Sequence, residues 1–224
     1  MKDSVFALRR LSTILAVAVL TLTFTAAFTG ILLAFYYQPT AGGAYDSLKV
    51  VTTDVPYGWL VRTVHDRAGN WVIGVALIQM VVMFLGARFR RSWLTAWITG
   101  ILFILSAIGL GWTAMILDWS QIGFWRLRVE LGILESIPLV GATIRDILTG
   151  GGGIGSLTVA HMYTLHSYVL SLGAVALAIV HLGGLLLQER EIAQTIPATV
   201  PARSLPEVEA TGQEDADEGA TAVA

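Results

Sequence analysis

The stretch WLVRTVHDRAGN, Trp59–Asn70, runs without interruption into WVIGVALIQMVVMFL, residues 71–85. Residues 71–85 alone are too short to cross a bilayer, whose hydrocarbon core takes about 20 apolar residues of helix. Read as one helix from Trp59 to Leu85, with an Arg, a His, an Asp and a second Arg near its start, the segment is long enough. That reading decides the fold, because it separates a chain of three spans from a chain of four.

Three further apolar stretches surround it: Leu11–Tyr37, Leu94–Leu117 and Leu157–Leu187. The first is too long and too rich in Thr for a secretory leader, and no small-residue cleavage motif follows it, so it is read as a retained span. The composition agrees with lipid as the solvent. Of 224 residues 55% are hydrophobic and only 13% charged, where soluble domains carry about 25% charged residues; the mean hydropathy is +0.70. The expected class is an all-α membrane protein, a bundle of four transmembrane helices. A formal charge of −2 provides no basic face for nucleic acid. Cysteine is absent, which excludes disulfides, thiolate metal sites and thioether-linked haem.

The connections differ. Residues 38–58 are punctuated by Pro39, Gly42, Gly43, Pro56 and Gly58, with room for a short helix. Residues 86–93, GARFRRSW, form a short basic turn. Residues 118–156 are long for a plain loop and predict local helices. From 191 onward the chain turns acidic and small, a composition that predicts a disordered tail to 224. The expected division is a cytoplasmic N-terminal segment (1–11), a four-helix domain (12–190) and that tail. Four spans put both termini and the basic turn on one side, and the cluster Arg88, Arg90, Arg91 assigns that side to the cytoplasm.

Four histidines stand in this chain: His65, His161, His166 and His181. Ionisable groups at membrane depth are costly, and each is first a candidate for function. His65 begins the second span on the outer side. His166 sits near the outer end of the fourth span, which runs inward. The two are placed to meet at one depth, and two neutral imidazoles in an apolar slot are what a low-spin haem iron needs. The plain alternative is that each ring bonds a carbonyl or lines a wet cavity. His181 stands 15 residues after His166, roughly 22 Å along a helix and within about 60° of the same face. Its counterpart on the second span is Gln79, 14 residues after His65. Gln is a poor iron ligand; it suits a hydrogen bond to a porphyrin edge, a water, a quinone or a neighbouring helix.

These residues carry a resemblance. The stretches FYYQPTAGGAYDSLKVVTTDVPYGWLVRTVHDRAGN (35–70), ITGILFILSAIGLGWTAMILDWSQIGFW (98–125), IPLVG (137–141) and TVAHMYTLHSYVLSLGAVALAIVHL (158–182) resemble the N-terminal four-helix half of the cytochrome b/b6 family, in its short, split form. The similarity spans about Gly30 to Leu187. GWLxRxxH, LxWxQxxxW and two histidines 15 apart on one helix, in that order, make it specific.

The resemblance implies b-type haems held between the second and fourth spans. His65 and His166 match the ligands of the outer, low-potential haem. His181 matches one ligand of the inner, high-potential haem, whose other position is Gln79. Arg62 matches an arginine near the haem propionates. Gly30 and Gly100 match glycines on which the macrocycle presses, and by spacing Ala16 and Ala114 stand at two more. Asp118 replaces a proline in LDWSQ, and His161 replaces an arginine before the fourth-span ligand.

The function so implied is a b-type cytochrome subunit of a quinol-oxidising Rieske/cytochrome b complex, not catalytic alone. It would pass electrons across the cell (inner) membrane with haem b as cofactor and quinol as substrate. Its partners would be a Rieske iron–sulfur protein, a separate subunit carrying the C-terminal half of cytochrome b, a cytochrome c or other acceptor, and membrane lipid, in a dimeric complex. The alternative is a divergent haem-bearing subunit of another respiratory oxidoreductase, with a modified or missing inner haem.

Overall fold

The computed structural model describes residues 2–86, 88 and 94–195. Among the described residues four helices are long and apolar enough to cross a membrane, and there is no strand. Helix α1 spans Lys2–Ala34, α2 Ala44–Thr53, α3 Gly58–Leu85, α4 Leu94–Leu117, α5 Gln121–Glu135, α6 Gly141–Thr149 and α7 Ser156–Thr164. A π-helical turn, Leu165–Leu170, joins α7 to α8, Ser171–Thr195, in one continuous rod. The stretch from 59 to 85 is thus a single helix.

Helix α1 starts nine residues before the apolar stretch does. Residues 2–10 carry charge but neither Gly nor Pro, so nothing in them stops a helix; α1 ends at Ala34, five residues before Pro39. Its threonines do not burden it in lipid. Thr21, Thr23, Thr25 and Thr29 each donate to the carbonyl four residues back, which satisfies the hydroxyl inside the helix. At the other end of the chain α8 continues to Thr195. The rest of the expected acidic tail lies outside the described residues, as do Arg90 and Arg91.

The spans form a square. Helix α1 packs on α3 and α8, and α4 packs on α3 and α8, which leaves α3 and the α7–α8 rod facing each other across the diagonal. The core between them is layered. Its middle layer is built of small and medium side chains, Val19, Val72, Ala76, Ala107, Ala174 and Ala178, around one large ring, Phe103. Small residues let helices approach closely where lipid supplies no hydrophobic drive.

The two ends are tied differently. At the end with the N terminus, Arg88 is fully buried. It donates to Arg9 O (2.6 Å) and Thr13 Oγ1 (3.2 Å) and faces Glu189 Oε1 at 3.5 Å. Burial pulls the Arg88 guanidinium below its usual pKa, and Glu189 opposes that shift. At the opposite end, Tyr37 donates to Leu117 O (2.8 Å) and stacks on Tyr163 at 5.5 Å. Burial, helped by the charge of Asp118, pushes the Tyr37 phenol upward, so it stays a neutral donor. Helices α2, α5 and α6 cover this second end and fill the two long connections, as their lengths had suggested.

Candidate functional site

His65 sits eight residues into α3, at the end covered by α2, α5 and α6. Its Nδ1 donates to Ala26 O of α1 (2.9 Å) and lies 3.3 Å from Thr29 Oγ1. A carbonyl only accepts, so Nδ1 carries the proton and Nε2 keeps its lone pair. His166 is held by α4. Thr113 Oγ1 donates to Gly109 O (2.9 Å) and stands 2.8 Å from His166 Nδ1. With its proton given to the carbonyl, the hydroxyl accepts from Nδ1–H and again leaves Nε2 basic. Both rings are thereby fixed in tautomer and direction by neighbouring helices, which is how metal-bound imidazoles are set.

The two rings face each other with centroids 6.3 Å apart and planes tilted by 57°. Metal–imidazole bonds run about 2 Å, so two of them in line through one ion put ring centroids about 6 Å apart. The centroid separation therefore matches that of two imidazoles on a single metal ion. Among the described residues no group of three or more His, Asp or Glu side chains is placed to hold a metal ion. An ion held by this pair needs its remaining ligands from elsewhere, as a planar macrocycle supplies them. Gly30 lies beside the pair, where a Cβ would come within 3.0 Å of His65 Cε1.

The π turn beginning at Leu165 explains how 14-residue and 15-residue spacings come to oppose each other. Ser171 N–H reaches back five residues to His166 O, which absorbs one extra residue. The 15 residues from His166 to His181 then rotate like 14 residues of α-helix, about 40° short of four turns, as the 14 from His65 to Gln79 do. The expected 60° offset assumed an unbroken α-helix.

At the deeper level the second pair also meets, but in contact. Gln79 Nε2 lies 2.7 Å from His181 Nε2 and 3.3 Å from Ser12 O, while His181 Nδ1 donates to Ala96 O at 2.8 Å. Gln79 must present its NH2, because a flipped amide would aim its oxygen at two acceptors. Two metal–nitrogen bonds in line need about 4 Å between the nitrogens, so this pair as placed does not fit an ion. Gly100 abuts the same ring, and a Cβ there would meet His181 Cε1 at 2.8 Å. Ala16 is buried in this layer beside Met83, Ala96 and Leu185.

Arg62, one turn before His65, pairs with Asp118 at 2.6 Å and also donates to Thr52 Oγ1 at 3.1 Å. The aspartate that breaks the family pattern is thus the partner of the arginine that keeps it. His161 is exposed, with Nδ1 3.2 Å from Ile147 O, outside the slot between the spans. Sequence reasoning missed Thr113 and Thr29. Thr113 had a signal, a hydroxyl in the last turns of an otherwise apolar span, whereas Thr29 was one of several threonines on α1.

Comparison with known proteins adds three findings. A family profile described as cytochrome b/b6/petB matches residues 4–190. Curated cytochrome b6 chains from Oltmannsiellopsis viridis and Chlamydomonas reinhardtii are each 32% identical over 153 residues, which is 68% of this chain and 71% of theirs. Among solved structures, a chain of a hyperthermophilic respiratory Complex III superposes with a TM-score of 0.68 at 23% identity, covering 78% of this chain and 47% of its own. The present chain thus spans about half the length of that neighbour, and the likeness is one of fold.

Proposed function

The chain belongs to the cytochrome b/b6 family, and from that membership we propose that it is the b-type cytochrome subunit of a quinol-oxidising membrane complex. It is a multi-pass membrane protein by its four apolar helices, and its family binds haem b. The observation that carries the proposal to this chain is the facing of His65 and His166 across 6.3 Å. These two residues would hold the haem iron from both sides, each through Nε2, with Nδ1 anchored to Ala26 O and to Thr113. When bound, the haem supplies a one-electron carrier. Gly30 leaves room at the ring of His65. Arg62, paired with Asp118, would be the residue to meet a propionate.

The proposal extends to placement and partners. The end that carries Arg88 would face the cytoplasm, and the His65–His166 pair would lie near the outer surface. A Rieske protein, a subunit supplying the second half of cytochrome b and a cytochrome c or other acceptor would complete a dimeric complex. A second reading, a subunit of a different respiratory oxidoreductase, draws support from the Arg62–Asp118 pair and the Gln79–His181 contact, both departures from the family pattern. The proteins that copurify with the chain separate the two readings.

A reduced-minus-oxidised spectrum of the purified chain with its partners is the direct test. An alpha band of b type is expected, and its absence would remove the proposal. Thr113→Val keeps shape but deletes the hydroxyl that accepts from His166 Nδ1, leaving the ring the Leu110 carbonyl. Losing such a supporting partner costs about 10–100-fold in metal-site affinity. Haem titration of the variant is expected to show weakening of that order with the fold intact.

A further inference from the structure

We infer that this chain carries one haem, at the His65–His166 pair, and that a hydrogen-bonded bridge between Gln79 and His181 seals the place of a second. The inference rests on the reading of the first site as a haem site and goes beyond it by closing the other.

The contrast between the two levels is internal to one structure. At the first level two imidazoles stand with centroids 6.3 Å apart, each with Nδ1 held by a neighbouring helix. At the second, the only basic nitrogen of His181 accepts a hydrogen bond from Gln79 at 2.7 Å. An iron entering there would have to part that bond and would gain one imidazole only, because a primary amide nitrogen has no basic lone pair to offer. The surroundings hold the bridge shut. Gln79 is 2% exposed and His181 4%, with Met83 and Leu185 fully buried beside them.

The bridge is also complete in its own right. Ser12 O belongs to α1, Gln79 to α3, Ala96 O to α4 and His181 to α8. Gln79 donates to the first and to His181, and His181 donates to Ala96 O. One chain of three hydrogen bonds thus joins all four spans among buried groups, where polar groups must satisfy one another. It provides the cross-bundle tie that a bound macrocycle would otherwise provide. Gly100 keeps a role without a second haem, because its missing Cβ admits the His181 ring. The bridge lies 14 residues along α3 from the first site, roughly 21 Å. A trans-membrane relay therefore requires an inner acceptor brought by another subunit.

The test is a count of non-covalent haem against this chain in the full-length protein purified from membranes, by pyridine haemochrome and quantitative protein analysis, with electron paramagnetic resonance on the same sample. One haem per chain and one low-spin bis-imidazole signal are expected. Two haems per chain would overturn the inference while leaving the proposed function standing. None would overturn both. His181→Gln retains an amide able to bridge to Gln79. It is expected to leave the haem count at one and the spectrum unchanged, and a loss of haem in this variant would overturn the closure of the second site. Should the variant fail to accumulate, the wild-type count decides alone.

Discussion

His65→Ala and His166→Ala are each expected to reduce the b-type absorbance of membranes containing the chain to the background of membranes without it. Each substitution removes one of two axial nitrogens, and the described residues place no further side-chain nitrogen across the slot to replace it. Burial of a flat apolar macrocycle still favours binding, but a haem with one ligand gone exchanges its iron coordination with water or is lost. The supporting groups show why no neighbour substitutes. Thr29 and Thr113 present hydroxyls that already donate to carbonyls of their own helices. His161 bonds to Ile147 O at the edge of the bundle. The measurement is the dithionite-reduced spectrum normalised to the amount of chain. A variant that keeps a full-height alpha band would show that the iron sits elsewhere.

Arg88→Ala is expected to cost the folded bundle about 3 kcal/mol, at the lower end of what breaking a buried ion pair costs. Glu189 is the reason for the lower end, since its side chain is 31% exposed and water can take over part of the lost interaction. What water cannot replace is the single nitrogen, Nη2, that donates to both Arg9 O and Thr13 Oγ1 while the guanidinium is fully buried. These contacts fasten the start of α1 and the end of α8 to the turn after α3. Arg88→Lys keeps the charge but replaces the planar guanidinium that fills this buried place with a compact ammonium and is expected to fall between the two. Denaturation in mild detergent, followed by tryptophan fluorescence, measures the difference. A midpoint unchanged in Arg88→Ala would show that the turn does not fasten the helices.

The parts of the fold that a linear pattern can carry were visible in the chain itself. Span lengths follow from apolar runs, and the third ends at Leu117, where α4 ends. The meeting of His65 with His166 at one depth follows from counting residues along two antiparallel spans. What counting does not reach is rotation and close approach. The π turn at Leu165–Leu170 has no Gly or Pro to announce it; its one local mark is Ser171 Oγ bonding Ser167 O at 2.5 Å, a contact known only once the backbone is placed. The same limit hid the bond between Gln79 and His181. Gln79 was visible as a polar residue at the depth of His181, but whether a slot or a hydrogen bond separates them depends on how far apart α3 and α8 stand. Asp118 read as a missing proline, and its role as the partner of Arg62 belongs to the ends of two helices 56 residues apart in the chain. Charged N-terminal residues concealed the early start of α1, because apolarity marks where a helix enters lipid and not where it begins.

Iron itself is the most direct witness to the first site. An anomalous difference map at the iron edge, collected from the purified protein, is expected to show a peak between the Nε2 atoms of His65 and His166, about 2 Å from each. A map with no peak between these two rings would contradict the assignment of the site.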